Sequence, residues 1–559
     1  MTATSYTAMP LPGSLVGAGR ATYGEVFTRR WVVEMILDQC EYLAELDLTA
    51  LTLVEPATGA GAFLGPAIER LVRSRAAHTP DLPWERLAGC VLGRDLLPEH
   101  VADCRALAVE ILLGAGCPPQ TATMLAEQWI DVGDFLLDDL GLGGVRADVV
   151  VGNPPYIRIE DLSPDLLAAY RRACPTMGGR ADVFIGFYER GLDILKPGGR
   201  LGFICADRWM RNQYGQRLRE KIVSGGFAVD VCVVMHEVDA FADEVSAYPA
   251  MTVLRRGPQG QAVSADTTAA FGASAARRFT AWSSTAEPSL RTEALEAARL
   301  PHWHQSAESW PDASPETIAW LEKLDDTLPL LEDTGGTRIS IGVATGADAV
   351  YLTRDEDLVE RERLLPLAMP ADIKSGEFDW SGTYLVNPWE PDGLARMEEW
   401  PKFAAYMERH EAALRRRSIG RRNPLRWHRT IDRVSTALTA RPKLLLQDLK
   451  RQADPVLDPG GHYPHHNLYY LVSGEWDLDV LGGLMLSEVV ERQIAAYCVK
   501  MRGKTLRFQA QYLRRVRVPL MSTLTERVAV DLASAFRTRD RAAATRAALD
   551  AYGMDRLPR

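Results

Sequence analysis

Long apolar runs are missing from this 559-residue chain: no eighteen consecutive apolar residues occur, so the sequence predicts no membrane-spanning helix. The first twenty residues also lack the basic start and apolar core of a secretory signal, which points to a cytoplasmic location. Cysteine is sparse and scattered, with eight residues at 40, 90, 104, 117, 174, 205, 232 and 498 and no Cys-x-x-Cys pair. That spacing indicates neither a disulfide framework nor a thiolate metal site. Lysine is scarcer for its type, nine of the 64 basic residues. Positive charge as a whole is in deficit, with a formal net charge of −10. Taken alone, that figure argues against a polyanionic partner. The deficit is uneven, however. Residues 401–450 hold thirteen Lys/Arg against four Asp/Glu, and residues 491–520 hold eight against one. A phosphate-binding surface needs local positive potential, which total charge does not measure.

What is present has the rhythm of an α/β protein. Residues 51–55, 89–93, 148–152 and 200–205 read as strands, and residues 31–45 and 65–75 as helices, the second opening directly after a glycine-rich turn. Residues 229–235 and 250–255 read as a closing hairpin. The predicted division is a tail over 1–20, a parallel-sheet domain over 21–256 and an Ala/Ser/Thr/Gly-rich linker over 257–314. A mixed α+β region over 315–520 and a helical tail over 521–559 complete it.

Four strand-end motifs carry the chemistry. In Val54-Glu55-Pro56-Ala57-Thr58-Gly59-Ala60-Gly61 a strand ends at an acid, and two glycines let backbone amides approach a ligand at a helix start. A carboxylate standing before the glycines suits an ammonium group such as the α-amino group of S-adenosylmethionine. By itself, such a turn is as readily structural. Next, Asp95 and Leu96 in Gly93-Arg94-Asp95-Leu96 place an acid where two ribose hydroxyls could be held. The third motif, Gly133-Asp134-Phe135-Leu136, pairs an acid with a ring, suited to an adenine amino group and a purine face. Each acid singly is more often a cap or turn residue. Three at successive strand ends fit one nucleoside lying across the carboxyl edge of a sheet. The fourth is Asn153-Pro154-Pro155-Tyr156, directly after the hydrophobic run Asp148-Val149-Val150-Val151-Gly152. Two prolines stiffen this tetrapeptide into a bracket holding one carboxamide and at least one free carbonyl. Those acceptors can bind both hydrogens of a planar amino group and direct its nitrogen at a methyl donor, while Tyr156 stacks on the base.

In this order, residues 22–256 resemble the amino-methylating DNA methyltransferases of the TaqI-like, or gamma, class, adenine-specific enzymes of restriction–modification systems. The resemblance implies a Rossmann-like domain dependent on S-adenosylmethionine, followed by a DNA target-recognition domain. Tyr23-Gly24-Glu25-Val26-Phe27-Thr28 resembles the class's N-terminal cofactor motif, with Arg29 where many members have proline. It further implies that Glu55 contacts the methionine moiety, Asp95 the ribose, and Asp134 with Phe135 the cofactor's adenine. Thr28, Pro56, Ala57, Gly59, Gly61 and Leu96 complete the expected cofactor site. Asn153 and Pro154 would hold the target amino group, flanked by Pro155 and Tyr156. A second aromatic facing the flipped base is expected at Phe241, with Tyr248 in reserve. More loosely, Ile339-Ser340-Ile341-Gly342-Val343-Ala344-Thr345-Gly346 and Arg502-Gly503-Lys504 resemble the two ends of the class's specificity domain. The expected partners are double-stranded DNA and a cognate endonuclease or defence complex, and no membrane. Methylation of RNA or of a protein glutamine stays open, because enzymes of both kinds share the tetrapeptide. So does a catalytically dead DNA-recognition protein.

For DNA contact the expected residues are Arg415, Arg416, Arg417, Arg421, Arg422, Arg426 and Arg429, with Lys504 and Arg507 in the second basic segment. The cluster His462, His465, His466 invites a metal, but no cysteine or paired acid accompanies it at ligand spacing, and the expected metal count is none. Pro311-Asp312 with Asp372-Ile373-Lys374 loosely matches a nuclease site and is read as chance.

Overall fold

The computed structural model describes residues 27–138, 146–242, 248–311, 313–498 and 506–558. The chain divides into two compact units, Met1–Ile318 and Ala319–Arg559. No helix among the described residues is long and apolar enough to cross a membrane.

The first unit is built on one ten-stranded sheet. Its strands in chain order are β1 (Leu53–Glu55), β2 (Val91–Asp95), β3 (Ile130–Val132), β4 (Ala147–Gly152), β5 (Leu195–Ala206), β6 (Phe227–Val234), β7 (Pro249–Arg256), β8 (Ala262–Thr267), β9 (Ser289–Arg291) and β10 (Leu295–Leu300). The spatial order is β3-β2-β1-β4-β5-β7-β6-β8-β10-β9. From β3 to β5 every pairing is parallel, whereas β7 runs antiparallel to both β5 and β6. The apolar run of β4 shows why. Val149 and Val151 join one core cluster and Val150 the other, so both faces of the strand are buried, as a parallel strand flanked by helices requires. Packed into the first cluster are α1 (Arg30–Gln39), α2 (Leu64–His78), α3 (Pro98–Gly114) and α4 (Pro119–Trp129). The second receives α5 (Pro164–Ala173), α6 (Phe184–Asp193) and α7 (Gln216–Ser224).

Two expectations need correction. The hairpin strands do pair, but β7 inserts between β6 and β5 and so joins the hairpin to the parallel half. More seriously, residues 257–314 are no linker. Within them β8 pairs with both β6 and β10, and α8 (Ala273–Ser283) buries Ala276, Phe279 and Trp282 in the first core cluster. Small residues conceal these strands, since alanine and serine fit a sheet without giving a hydrophobic alternation.

In the second unit two four-stranded sheets, with two short two-stranded ones beside them, carry the β structure among the described residues. One orders Arg338–Ile341, Leu468–Val472, Lys443–Gln447 and Val456–Asp458, and the other Leu352–Thr353, Tyr384–Val386, Leu364–Ala368 and Tyr463–Pro464. The helices Glu526–Arg537 and Arg541–Ala551, expected as a tail, belong to this unit's interior: Leu532 and Phe536 are buried. A Cβ at Gly483 would stand 2.3 Å from the Leu532 carbonyl, so the helix Leu478–Leu486 meets its partner at backbone distance.

Candidate active site

Strand order decides the site. Because β3, β2, β1 and β4 are parallel neighbours, their carboxyl ends stand side by side. Asp134 follows β3, Asp95 ends β2, Glu55 ends β1 and Asn153 follows β4. A cleft of about 930 Å³, open solvent included, runs along this edge. Thr28, Glu55, Pro56, Ala57, Gly59, Asp95, Leu96, Asp134, Phe135, Asn153 and Pro155 line it. Gly61 is not in the lining. It holds φ at +85°, and a Cβ there would stand 2.9 Å from Leu107 of α3, so its task is to let the loop close against that helix.

The three acids have different surroundings. Glu55 is 1% exposed and its Oε2 has no hydrogen-bond partner among the described residues. Burial, then the charge of Asp95, pushes its carboxyl well above the ordinary range, against one backbone N–H from Leu64. Asp95 is engaged: Oδ2 accepts from Gly59 N at 2.9 Å and Oδ1 from Leu97 N at 2.9 Å, with His100 Nδ1 at 3.2 Å. It therefore ties the glycine loop to the start of α3. Asp134 Oδ1 accepts from Leu136 N, and Oδ2 from the Tyr170 hydroxyl, both at 2.9 Å. Burial raises its carboxyl, with the Tyr170 hydrogen bond opposing. Phe135 lies stacked on Phe187, centroids 5.6 Å apart and planes 21° apart. His100, Tyr170 and Phe187 all line the cleft and were missed in the sequence. No local motif marks them, since each arrives from a helix rather than from a strand end.

Across the cleft, Asn153 Nδ2 donates to Thr28 Oγ1 at 3.2 Å. Thr28 in turn forms an antiparallel bridge with Phe241, clamped by Arg29 N to Ala240 O at 3.0 Å and Ala242 N to Phe27 O at 2.8 Å. The segment before α1 is thus laid against the Asn153–Tyr156 tetrapeptide although 125 residues separate Thr28 from Asn153. Pro154 is buried and Tyr156, half-buried with its hydroxyl enclosed, packs against the second core cluster, and neither is among the residues that line the cleft. Phe241 is only 6% exposed, sits in the first core cluster and does not line the cleft. Tyr248, the reserve, is half-buried with its ring edge on His236, centroids 5.0 Å apart. His236 Nε2 lies 2.5 Å from Oδ2 of the buried Asp207, which also pairs with Arg211. Burial would raise the Asp207 carboxyl, but these two partners hold it down at about 2.

The first basic segment folds into the helices Pro401–Arg416 and Ser418–Arg422 and the single turn Pro424–Arg426. Arg416, Arg421, Arg422 and Arg426 are exposed and meet no acid among the described residues. Their neighbours are less available. Arg415 pairs with Glu411 at 2.6 Å, and the half-buried Arg429 lies 5.2 Å from the Trp389 ring. Arg417 departs from expectation: it donates to the carbonyls of Leu414, Thr345, Trp427 and Arg429 and to the Tyr351 hydroxyl, so it knits the unit together. Arg507 is likewise committed, forking onto Asp448 at 2.6 and 3.3 Å. Residues 23–26, Lys504 and Asp312 lie outside the described residues. Asp372 accepts from Met369 N and Ser381 N, a purely local task. The histidine triplet divides, His462 going to Asp458 and His465 to Asp348. Asp348, His465 and His466 have ligand-type atoms within 4.8 Å of one another, a grouping invisible in sequence because Asp348 lies 117 residues away.

The sequence model of the Eco57I restriction-modification methylase family matches residues 135–226. The Type II methyltransferase M.XhoI of Xanthomonas vasicola is 40% identical over 541 residues, covering 96% of this chain and 98% of that protein. M.PaeR7I of Pseudomonas aeruginosa, also a Type II methyltransferase, is 40% identical over 96% of this chain and 92% of its own. Among solved structures, the Type IIL restriction-modification enzyme MmeI in complex with DNA shares the fold at a TM-score of 0.57 and 12% identity. That likeness covers 94% of this chain and 74% of that one.

Proposed function

Since this chain belongs to the Type II methyltransferases of restriction–modification systems, we propose that it methylates adenine N6 in duplex DNA with S-adenosylmethionine. The observation that carries the reading is the strand order, which sets Asp134, Asp95, Glu55 and Asn153 along one cleft. Glu55 supplies the fit test for the cofactor. A buried carboxyl with an idle oxygen asks for a cation, and a methionine ammonium group is one. Asp95 would hold the ribose with the lone pairs left after binding Gly59 and Leu97, and Asp134 with Phe135 would hold the adenine. When bound, S-adenosylmethionine supplies an electrophilic methyl group.

The remaining work is positioning. Asn153 Oδ1 and the Pro154 carbonyl would accept the two hydrogens of the target amino group. Binding them withdraws the nitrogen lone pair from the ring and aims it. Thr28, by taking the amide nitrogen of Asn153, fixes which end of the carboxamide serves as acceptor. Tyr156 offers its face to an extruded base, and stacking offsets part of the cost of unpairing it. Target recognition is assigned to the second unit, on the strength of its exposed arginines without acidic partners. A companion endonuclease is the expected partner of the system.

The test is direct. Incubate the purified protein with duplex DNA and labelled S-adenosylmethionine, digest to nucleosides, and identify the methylated base by mass spectrometry. N6-methyladenine is expected. Label in N4-methylcytosine would overturn the base assignment, and label in RNA or protein but not DNA would overturn the substrate.

A further inference from the structure

Leu425 is 93% exposed, far beyond the next large hydrophobic side chain, Val530 at 57%. Isolated exposed leucines are common and need no explanation. This one differs in two respects. First, the turn that carries it, Pro424–Arg426, is held on every side. Arg415 Nη1 donates to the Pro424 carbonyl at 2.8 Å, and Arg426 N to the Asn423 carbonyl at 3.0 Å. Asn423 Nδ2 donates to Ile419 O at 3.1 Å, and Arg417 Nη2 to Trp427 O at 2.9 Å. Trp427, just beyond the turn, is buried under the Arg415 guanidinium, 5.3 Å from its ring. The leucine therefore stands on a hydrogen-bonded turn with its side chain in solvent. Second, the stretch of chain that carries it is cationic: Arg416, Arg421, Arg422 and Arg426 are exposed and meet no acid among the described residues.

We infer that Leu425 is a wedge that enters between stacked base pairs of duplex DNA while the surrounding arginines hold the phosphates. An apolar tip in water is unfavourable, and the same tip between two base faces is not. Exposed arginines in the same stretch favour a polyanion over an apolar protein surface. A rigid mount matters because a wedge that could fold back would yield before the base stack did. This inference rests on the reading of the protein as a DNA methyltransferase, and on DNA being held by the second unit.

The experiment uses the full chain and duplex DNA carrying its methylated site. Unstacking is read by permanganate oxidation of thymines along the duplex, and binding by fluorescence anisotropy across a salt series. Besides the thymine left opposite the extruded adenine, the wild-type protein is expected to make thymines at one further step reactive. Leu425→Ala should lose that reactivity while keeping the wild-type salt slope, because no phosphate contact is removed. Leu425→Met should restore it, being apolar and of similar length. An exposed site makes misfolding of these variants avoidable, and matching thermal melts check it. Reactivity unchanged in Leu425→Ala overturns the wedge. So does a Leu425→Ala protein normal on DNA but unable to hold a companion endonuclease, since the tip would then face protein. If the wild-type protein binds duplex DNA normally and exposes only the thymine opposite the extruded adenine, only the wedge fails. If it binds no duplex at low salt, the DNA reading itself fails and takes the wedge with it.

Discussion

Glu55 is a carboxyl group with almost no water and one idle oxygen, and its consequences run through pH. Burial and the charge of Asp95 hold its titration well above the ordinary carboxyl range. The folded protein with an empty cleft therefore keeps a proton that the unfolded chain releases. Stability from this group is present below the unfolded value and is lost as pH rises through the folded one. A bound cation favours the charged form, so cofactor binding should expel a proton and tighten as pH rises from the ordinary carboxyl range towards the raised value. Calorimetry in buffers of different ionisation enthalpy should detect that proton, and Glu55→Gln should abolish both the release and the slope. A pH-independent affinity in the native protein would remove Glu55 from the cofactor site. Asn153→Ala should behave differently. It takes away an acceptor aimed at the reacting group, so turnover should fall by about 100- to 1,000-fold. Cofactor affinity should stay within a fewfold, and near-normal turnover would refute the bracket. Asp95→Ala should weaken the cofactor's Michaelis constant first, as loss of uniform binding does. Asp95→Asn should recover less than a simple isostere would, because the Gly59 and Leu97 amides both need acceptor oxygens.

At the scale of elements, the instructive stretch is residues 257–314. An Ala- and Ser-rich sequence reads as a bridge, yet it supplies three strands and α8 to the first unit. Phe279 makes the two readings separable, because it is fully buried on the inner face of α8. If the segment is structural, Phe279→Ala should cost about 3–5 kcal/mol in denaturant unfolding of the first unit. A linker would tolerate the change with a loss under about 0.5 kcal/mol, the range of ordinary surface substitutions. Four of the five parallel core strands, by contrast, were legible from sequence to within about five residues, while the three-residue β3 was not read as a strand. Val149-Val150-Val151 bury both faces, and a continuous apolar run is the signature such burial leaves.

Across the whole molecule, a net charge of −10 coexists with an arginine face in the second unit. The exposed pair Arg421 and Arg422 should each neutralise a phosphate, at roughly 0.9 in the slope of log affinity against log salt. Replacing both by alanine should lower that slope by about one to two, with cofactor affinity untouched. Arg417→Ala should instead lower the melting temperature, because five oxygen acceptors in the second unit lose their donor. An unchanged salt slope in the double variant would mark the arginine face as merely solvated. Reading seven adjacent arginines as one DNA surface was the limit of sequence inference here. A run of like charges shows that something must be done with them, and only packing shows which of them are spent indoors.

The sequence by itself determined the strand-end chemistry: an acid, a glycine turn, two further acids and an Asn-Pro-Pro-Tyr bracket, each legible because it is local. Local signals survive in sequence because a turn, a cap or a proline acts on its own neighbours. Tertiary structure alone decided which of those ends are adjacent, that Thr28 takes the amide of Asn153, and that His100, Tyr170 and Phe187 close the cleft. It also decided that Phe241 is core-packed rather than a wall of the cleft. These contacts span tens to hundreds of residues, and nothing in the spacing of a chain records which distant segments its core will bring together.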